Sequence, residues 1–148
     1  MFEIDFANRQ ASHPVNASRL LAAVRLVLEQ EGLREASVSL AVLDDPTIHE
    51  LNRRYLQHDY ATDVLSFVLD SSPGRLDGEV LVSADTAAAA STRYGWTAED
   101  ELLLYVIHGT LHLIGYDDQT PADRAAMRDC ERSYLAHFQL SPQYDEDV

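Results

Sequence analysis

The stretch Thr97–Asp118 reads TAEDELLLYVIHGTLHLIGYDD. Thr97 stands where a helix N-cap belongs, and Asp100, three positions on, takes the place of the glutamate in a capping box. The run from Leu102 to Ile114 is the most apolar in the chain, yet it is too short to span a bilayer and it holds two histidines. His108 and His112 lie four residues apart, so they stack on one helical face with about 6 Å between their Cβ atoms. Both imidazoles can reach one ion. Gly115 is placed for a left-handed C-terminal cap, beyond which the chain can reverse and bring Asp117 or Asp118 back to the same ion. Two nitrogens and one carboxylate are an ordinary catalytic zinc set with the fourth position open. The competing reading is a pair of core histidines. Against it, polar rings on an apolar helix need partners, and a glycine stop and an acidic pair follow where a metal site needs them.

Outward from this helix the elements are short and mixed. Met1–Phe6, Ser37–Leu43, Asp63–Leu69 and Gly78–Val82 read as strands by alternation or β-branched content. Asp63–Leu69 alternates little and is expected to be buried on both faces. The strands at 63–69 and 78–82 flank a Ser71-Ser72-Pro73-Gly74 loop and are expected to pair antiparallel. Helices are expected over Arg19–Gln30 (Ser18 as cap), from Pro46 to about Leu56, over Ala84–Tyr94 (Ser83 as cap), up to Ile114, and from Thr120-Pro121 to about Phe138. Tyr144–Val148 is acidic and expected to fray. The reading is α+β: one domain over residues 1–148, a mixed four-stranded sheet packed with about five helices.

Composition limits the function. The 148 residues carry 11 Lys+Arg against 25 Asp+Glu, a net charge of −14, and all 11 basic residues are arginine. That is the opposite of a generic nucleic-acid binder. A polyanion needs a local positive patch or a metal to bind here. The hydrophobic content of 46% is globular. A lone Cys130 excludes an internal disulfide framework and a four-cysteine zinc cluster. Glu3 and Asp5 stand where a secretory leader is basic, so a soluble cytosolic protein with no membrane partner is expected.

Residues 108–118 align with the long zincin motif except at two places: Gly109 replaces the catalytic glutamate and Asp118 the third histidine. Without that glutamate a peptidase loses its base. A different resemblance is specific. His108–Asp118 is similar to the signature of the YbeY family of rRNA-maturation endoribonucleases, His-Gly-x-Leu-His-Leu-x-Gly-Tyr-Asp-His, with ten of its eleven places compatible. Leu51-Asn52-x-x-Tyr55, Asp59 and Thr62-Asp63-Val64-Leu65-Ser66-Phe67 resemble a second family block. Leu76-Asp77-Gly78-Glu79-Val80 resembles a third, more loosely.

The resemblance implies a four-stranded sheet with about five helices and a metal held by His108, His112 and Asp118. It implies one Zn²⁺ or another divalent transition metal, and metal-dependent cleavage of single-stranded RNA. The implied setting is ribosomal RNA maturation and ribosome quality control in the cytoplasm, with the ribosome or a ribosomal protein as partner. Asp118 in place of histidine lowers the charge of the site by one and makes it harder, more open to Mn²⁺, Co²⁺ or Fe²⁺. Asp117 belongs to the family motif and is expected either to have a structural role or to support the metal ligands, for example by holding an imidazole N–H. The family's basic residue after Tyr55 is Leu56 here, which leaves Arg53 and Arg54 as weak candidates for a phosphate contact. His58 is read as an exposed loop residue, and no general base is identified. A non-catalytic ribosome-assembly module with a structural metal and a metal-dependent peptide hydrolase are the alternatives.

Overall fold

Alternation builds the central strands. In Glu35–Leu43 the side chains of Ala36, Val38, Leu40 and Val42 are buried while Glu35, Ser37 and Ser39 face solvent. Arg75–Ser83 repeats the pattern with Leu76, Val80 and Val82. The computed structural model describes residues 1–144. They form β1 (Phe2–Asn8), α1 (Ala17–Gln30), β2 (Glu35–Leu43), α2 (Asp45–Leu56), β3 (Val64–Ser72), β4 (Arg75–Ser83), α3 (Ala84–Tyr94), α4 (Ala98–Ile114) and α5 (Pro121–Ala136). The sheet order is β1-β2-β4-β3. β1, β2 and β4 run parallel, and β3 pairs antiparallel with β4 as one hairpin. This is the mixed four-stranded sheet with five helices expected from the sequence. Among the described residues no helix is long and apolar enough to cross a membrane.

The main core lies between one sheet face and helices α1 and α4, through Val24, Leu28, Val38, Leu40, Val80, Ile107 and Leu111. The opposite face carries a smaller cluster in which Ile48 of α2 meets Leu43 and Leu65. Helix α4 is apolar nearly all round, so it is buried nearly all round. It approaches the sheet at Gly109, where an added Cβ would lie 2.7 Å from Val80 Cγ1 and 2.8 Å from Val64 Cγ2. Ser66 Oγ on β3 donates to the Gly109 carbonyl at 2.9 Å. These contacts hold the turn bearing the histidines against the edge of the sheet.

Four local expectations are corrected. β3 is an edge strand, buried at Leu65 but exposed from Val68 onward. Its pairing shifts register between Val68 and Asp70, a bulge that turns Leu69 outward. The loop before β4 contracts to Pro73-Gly74, because Ser71 and Ser72 stay paired. Helix α1 is capped by Asn16, whose side chain accepts from Arg19 N–H, and not by Ser18. Tyr144 is anchored: its hydroxyl donates to Glu131 at 2.6 Å. The rest of the expected frayed tail, 145–148, lies outside the described residues.

Candidate metal centre

His108 and His112 stand on the last turns of α4, and Gly115 ends that helix at φ 119°. Gly115 N–H donates to the Leu111 and His112 carbonyls, and Tyr116 N–H to that of Leu111. This closure reverses the chain and returns two groups to the histidines. The Tyr116 carbonyl oxygen lies 3.0 Å from His112 Nδ1. Asp118 Oδ2 lies 3.4 Å from His108 Nε2 and 3.3 Å from His112 Nε2. The two Nε2 atoms are 3.0 Å apart. Ligand atoms about 2.0–2.1 Å from a tetrahedral ion stand about 3.4 Å from one another, so the three contacts have the edge lengths of such a site.

The hydrogen bonds behind the rings decide what those atoms face. A carbonyl only accepts, so His112 Nδ1 carries the proton. His108 Nδ1 lies 2.6 Å from Glu131 Oε2, and the other Glu131 oxygen accepts from Tyr144. His108 Nδ1 is therefore the donor to Glu131. Both Nε2 atoms then present lone pairs to each other and to the Asp118 carboxylate. With both imidazoles neutral, three acceptors at 3.0–3.4 Å face one another and repel, and a shared cation, whether a proton or a metal ion, removes that repulsion. The residues present fit a metal ion, and the residues behind them fix both tautomers.

The local field has the same sign. Burial disfavours a charged His108. The hydrogen bond to Glu131, with the negative charges of Glu131, Asp63 and Asp118, outweighs burial and raises its pKa. Glu131 itself is 3% exposed. With Glu131→Gln the shape is kept and the charge is lost. Metal affinity is expected to fall about tenfold, the lower end of what an outer-shell change costs, in a competition titration against a chelating dye.

Two concavities flank the three ligands. One, of about 210 Å³, is lined by Asp63, Glu101, Tyr105, Glu131 and Tyr144 beside His108 and Asp118. Glu101 there is 3% exposed and accepts from Trp96 Nε1 at 2.7 Å. Burial raises its pKa despite that bond. The other is an open groove lined by Leu56, Tyr60, Thr62, Asp63, Ser66 and Val68 on its far side. Asp63 borders both, with Oδ1 held by Val64 N–H at 2.8 Å and the Thr62 hydroxyl at 3.2 Å.

The structure brings together His108, His112 and Asp118. It does not bring Asp117 to an imidazole: Asp117 Oδ1 accepts from Asp118 N–H at 2.7 Å and shapes the returning loop instead. Arg53 forks onto Glu50 at 2.6 and 3.2 Å, and Arg54 lies 4.0 Å from the same carboxylate. Neither arginine lines the groove. Sequence reasoning missed Glu131, Tyr144 and Glu101. Glu131 sits on the last helix, 23 residues beyond His108, and only packing α5 on α4 joins them.

The family model described as Endoribonuclease YbeY matches residues 5–139. An Endoribonuclease YbeY of Rhodopirellula baltica is 46% identical over 121 residues, covering 79% of this chain and 62% of the relative's length. That of Salinibacter ruber is 40% identical over 132 residues, covering 84% of each. That of Moorella thermoacetica is 39% identical, covering 90% of this chain and 96% of the relative. A solution structure from Thermotoga maritima shares the fold, with a TM-score of 0.59 over 94% of this chain and 92% of that one, at 24% identity. The family match takes in β2, β3, β4, most of β1 and the histidine helix with its returning aspartate, so the chain belongs to the YbeY family.

Proposed function

We infer that this chain is a metal-dependent endoribonuclease that cuts single-stranded RNA in the maturation and quality control of ribosomal RNA. The observation that carries the reading is the trio of acceptors, His108 Nε2, His112 Nε2 and Asp118 Oδ2, held face to face at the mouth of an open groove. These three residues would hold one ion. Zn²⁺ is the first choice, since two histidines with one carboxylate are a common zinc set; the carboxylate leaves Mn²⁺, Co²⁺ or Fe²⁺ as alternatives. When bound, the ion supplies positive charge for a phosphate oxygen and activation of water.

The chain's own residues do the positioning. Glu131 and the Tyr116 carbonyl hold the two Nδ1 protons, which keeps both Nε2 lone pairs turned to the ion. Gly109 stands where a peptidase would carry its base, and a side chain there would press on Val80 and Val64 of the sheet. That argues against peptide hydrolysis. Arg53 and Arg54 could meet a phosphate only by leaving Glu50. We read residues 1–148 as one domain, working in the cytoplasm and brought to ribosomal RNA by the ribosome or a ribosomal protein. That recruitment offsets the repulsion expected from a net charge of −14.

The test is cleavage of single-stranded RNA by purified protein, metal-loaded against chelated. Cleavage is expected only with metal and is expected to return when metal is restored. Stoichiometrically metallated protein that leaves RNA intact would overturn the nuclease reading in favour of an assembly module.

A further inference from the structure

The groove beside the metal ligands has a volume of about 540 Å³, and none of its lining residues is an arginine. With no lysine in the chain, the described lining residues offer an RNA phosphate no arginine or lysine beyond the ion that His108, His112 and Asp118 would hold. What this wall offers is an aromatic ring. Tyr60 lines the groove together with His108, His112 and Asp118, and it is 55% exposed. Its ring lies nearly parallel to the His58 imidazole in an offset stack, 5.4 Å between centroids and 8° between planes, so His58 backs one edge of it. Leu56 and Val68, both exposed, extend the apolar wall on either side.

The loop that presents this pair is tied at each end. Helix α2 closes at Gln57 in the left-handed region, φ 60°, with His58 N–H donating to the Asn52 carbonyl at 3.2 Å. Asn52, 1% exposed, donates from its side-chain Nδ2 to the Tyr60 carbonyl at 3.0 Å. Between them, Asp59 pairs with His49 Nε2 at 2.8 Å. The Tyr60 ring is thus backed and its backbone fixed before anything binds, which lowers the entropy lost on binding.

We propose that Tyr60, backed by His58, is a base-stacking platform that holds a nucleobase flanking the cleavage point, so that RNA is recognised through its bases and not its backbone charge. The proposal rests on the endoribonuclease reading and adds how the strand is recognised. An acidic protein repels the phosphates of a polyanion, whereas every base of a single strand has an uncharged π-face that can stack on an aromatic side chain. A duplex keeps its bases stacked inside and presents its phosphates outside, so the same wall rejects it.

The experiment uses the full chain and a single-stranded oligoribonucleotide with 2-aminopurine at successive positions. On the chelated protein, binding is read by the change in 2-aminopurine fluorescence; on the metal-loaded protein, cleavage gives KM and kcat. Tyr60→Ala is expected to abolish the fluorescence change and raise KM about tenfold, with kcat within about twofold and metal content unchanged. Loss of uniform binding has that signature. Tyr60→Trp is expected to restore both, and Tyr60→Leu neither. The salt dependence of wild-type KM is expected to be shallow, with a slope of about one to two phosphates. A fluorescence change that survives Tyr60→Ala, or full rescue by leucine, would overturn the platform. So would loss of metal from Tyr60→Ala, since Tyr60 would then be supporting the metal centre. A wild-type protein that binds with the fluorescence change but cuts nothing would overturn the nuclease reading and leave the platform standing.

Discussion

Gly109→Glu is expected to yield no stably folded protein, although it would complete the zincin-like pattern His-Glu-x-x-His. The site of the substitution is the contact between α4 and the sheet. A Cβ at 109 would sit 2.7 Å from Val80 Cγ1 and 2.8 Å from Val64 Cγ2. Both neighbours are β-branched and stiff at χ1, so neither can swing aside. Overpacking of this kind costs about 1–3 kcal/mol. The gain in helix propensity over glycine offsets at most about 1 kcal/mol. In the metal-free protein the carboxylate adds the larger cost wherever it is buried without a partner, since such a group costs several kcal/mol. Together these approach the whole stability of a domain, about 5–15 kcal/mol. Gly109→Ala isolates the steric part and is expected to lower stability by about 1–2 kcal/mol. Urea unfolding of both variants checks this. A folded Gly109→Glu protein of near wild-type stability would show that α4 can lift from the sheet.

The same glycine marks how far the sequence could be read. The capping box of Thr97 and Asp100, the Ser83 cap and the Gly115 stop are local chemistry, and each appears in the structure where the residue types put it. So does the return of an acid to His108 and His112 after Gly115, because helical period and one reversal suffice for that; that the acid is Asp118 is implied by the family resemblance. What failed was what depends on neighbours. Asp63–Leu69 has the composition of a central strand, but its place at the sheet edge is set by the topology, and nothing in the residues themselves announces it. Glu131 reads as a surface glutamate on a polar helix until α5 packs against α4 and places it behind His108. Arg53 reads as a free cation until Glu50, one turn earlier, takes it. Asp117 and Asp118 are adjacent acids after the same glycine. Only the returning backbone shows that Asp117 caps the amide of Asp118, while the Asp118 carboxylate is the one that approaches the two histidines.

His112→Ala is expected to remove the metal and the RNA cleavage together while leaving the metal-free fold nearly as stable as before. The ring is about one-quarter exposed. Its own bonds are one donation to the Tyr116 carbonyl and an edge contact with His108, 4.5 Å between centroids. Alanine is the better helix former. The substitution also removes one of three acceptors that repel in the absence of a cation. These effects oppose one another, so the metal-free protein should change by less than about 1 kcal/mol. The metal-loaded protein behaves differently. A ligand that binds only the folded state stabilises it by RT ln(1 + [L]/Kd), about 2.7 kcal/mol at a hundredfold excess over Kd. The variant, left with His108 and Asp118 alone, should lose affinity beyond the 10–100-fold expected of Glu131 changes. Its Tm should therefore stop responding to zinc. Thermal unfolding with and without zinc, beside metal content by plasma spectrometry, separates the two states. A His112→Ala protein that still carries one ion per chain would place that ion elsewhere. The close approach of His108, His112 and Asp118 would then be a helix-end cluster held by Glu131 and Tyr116, and the case for the nuclease would lose its centre.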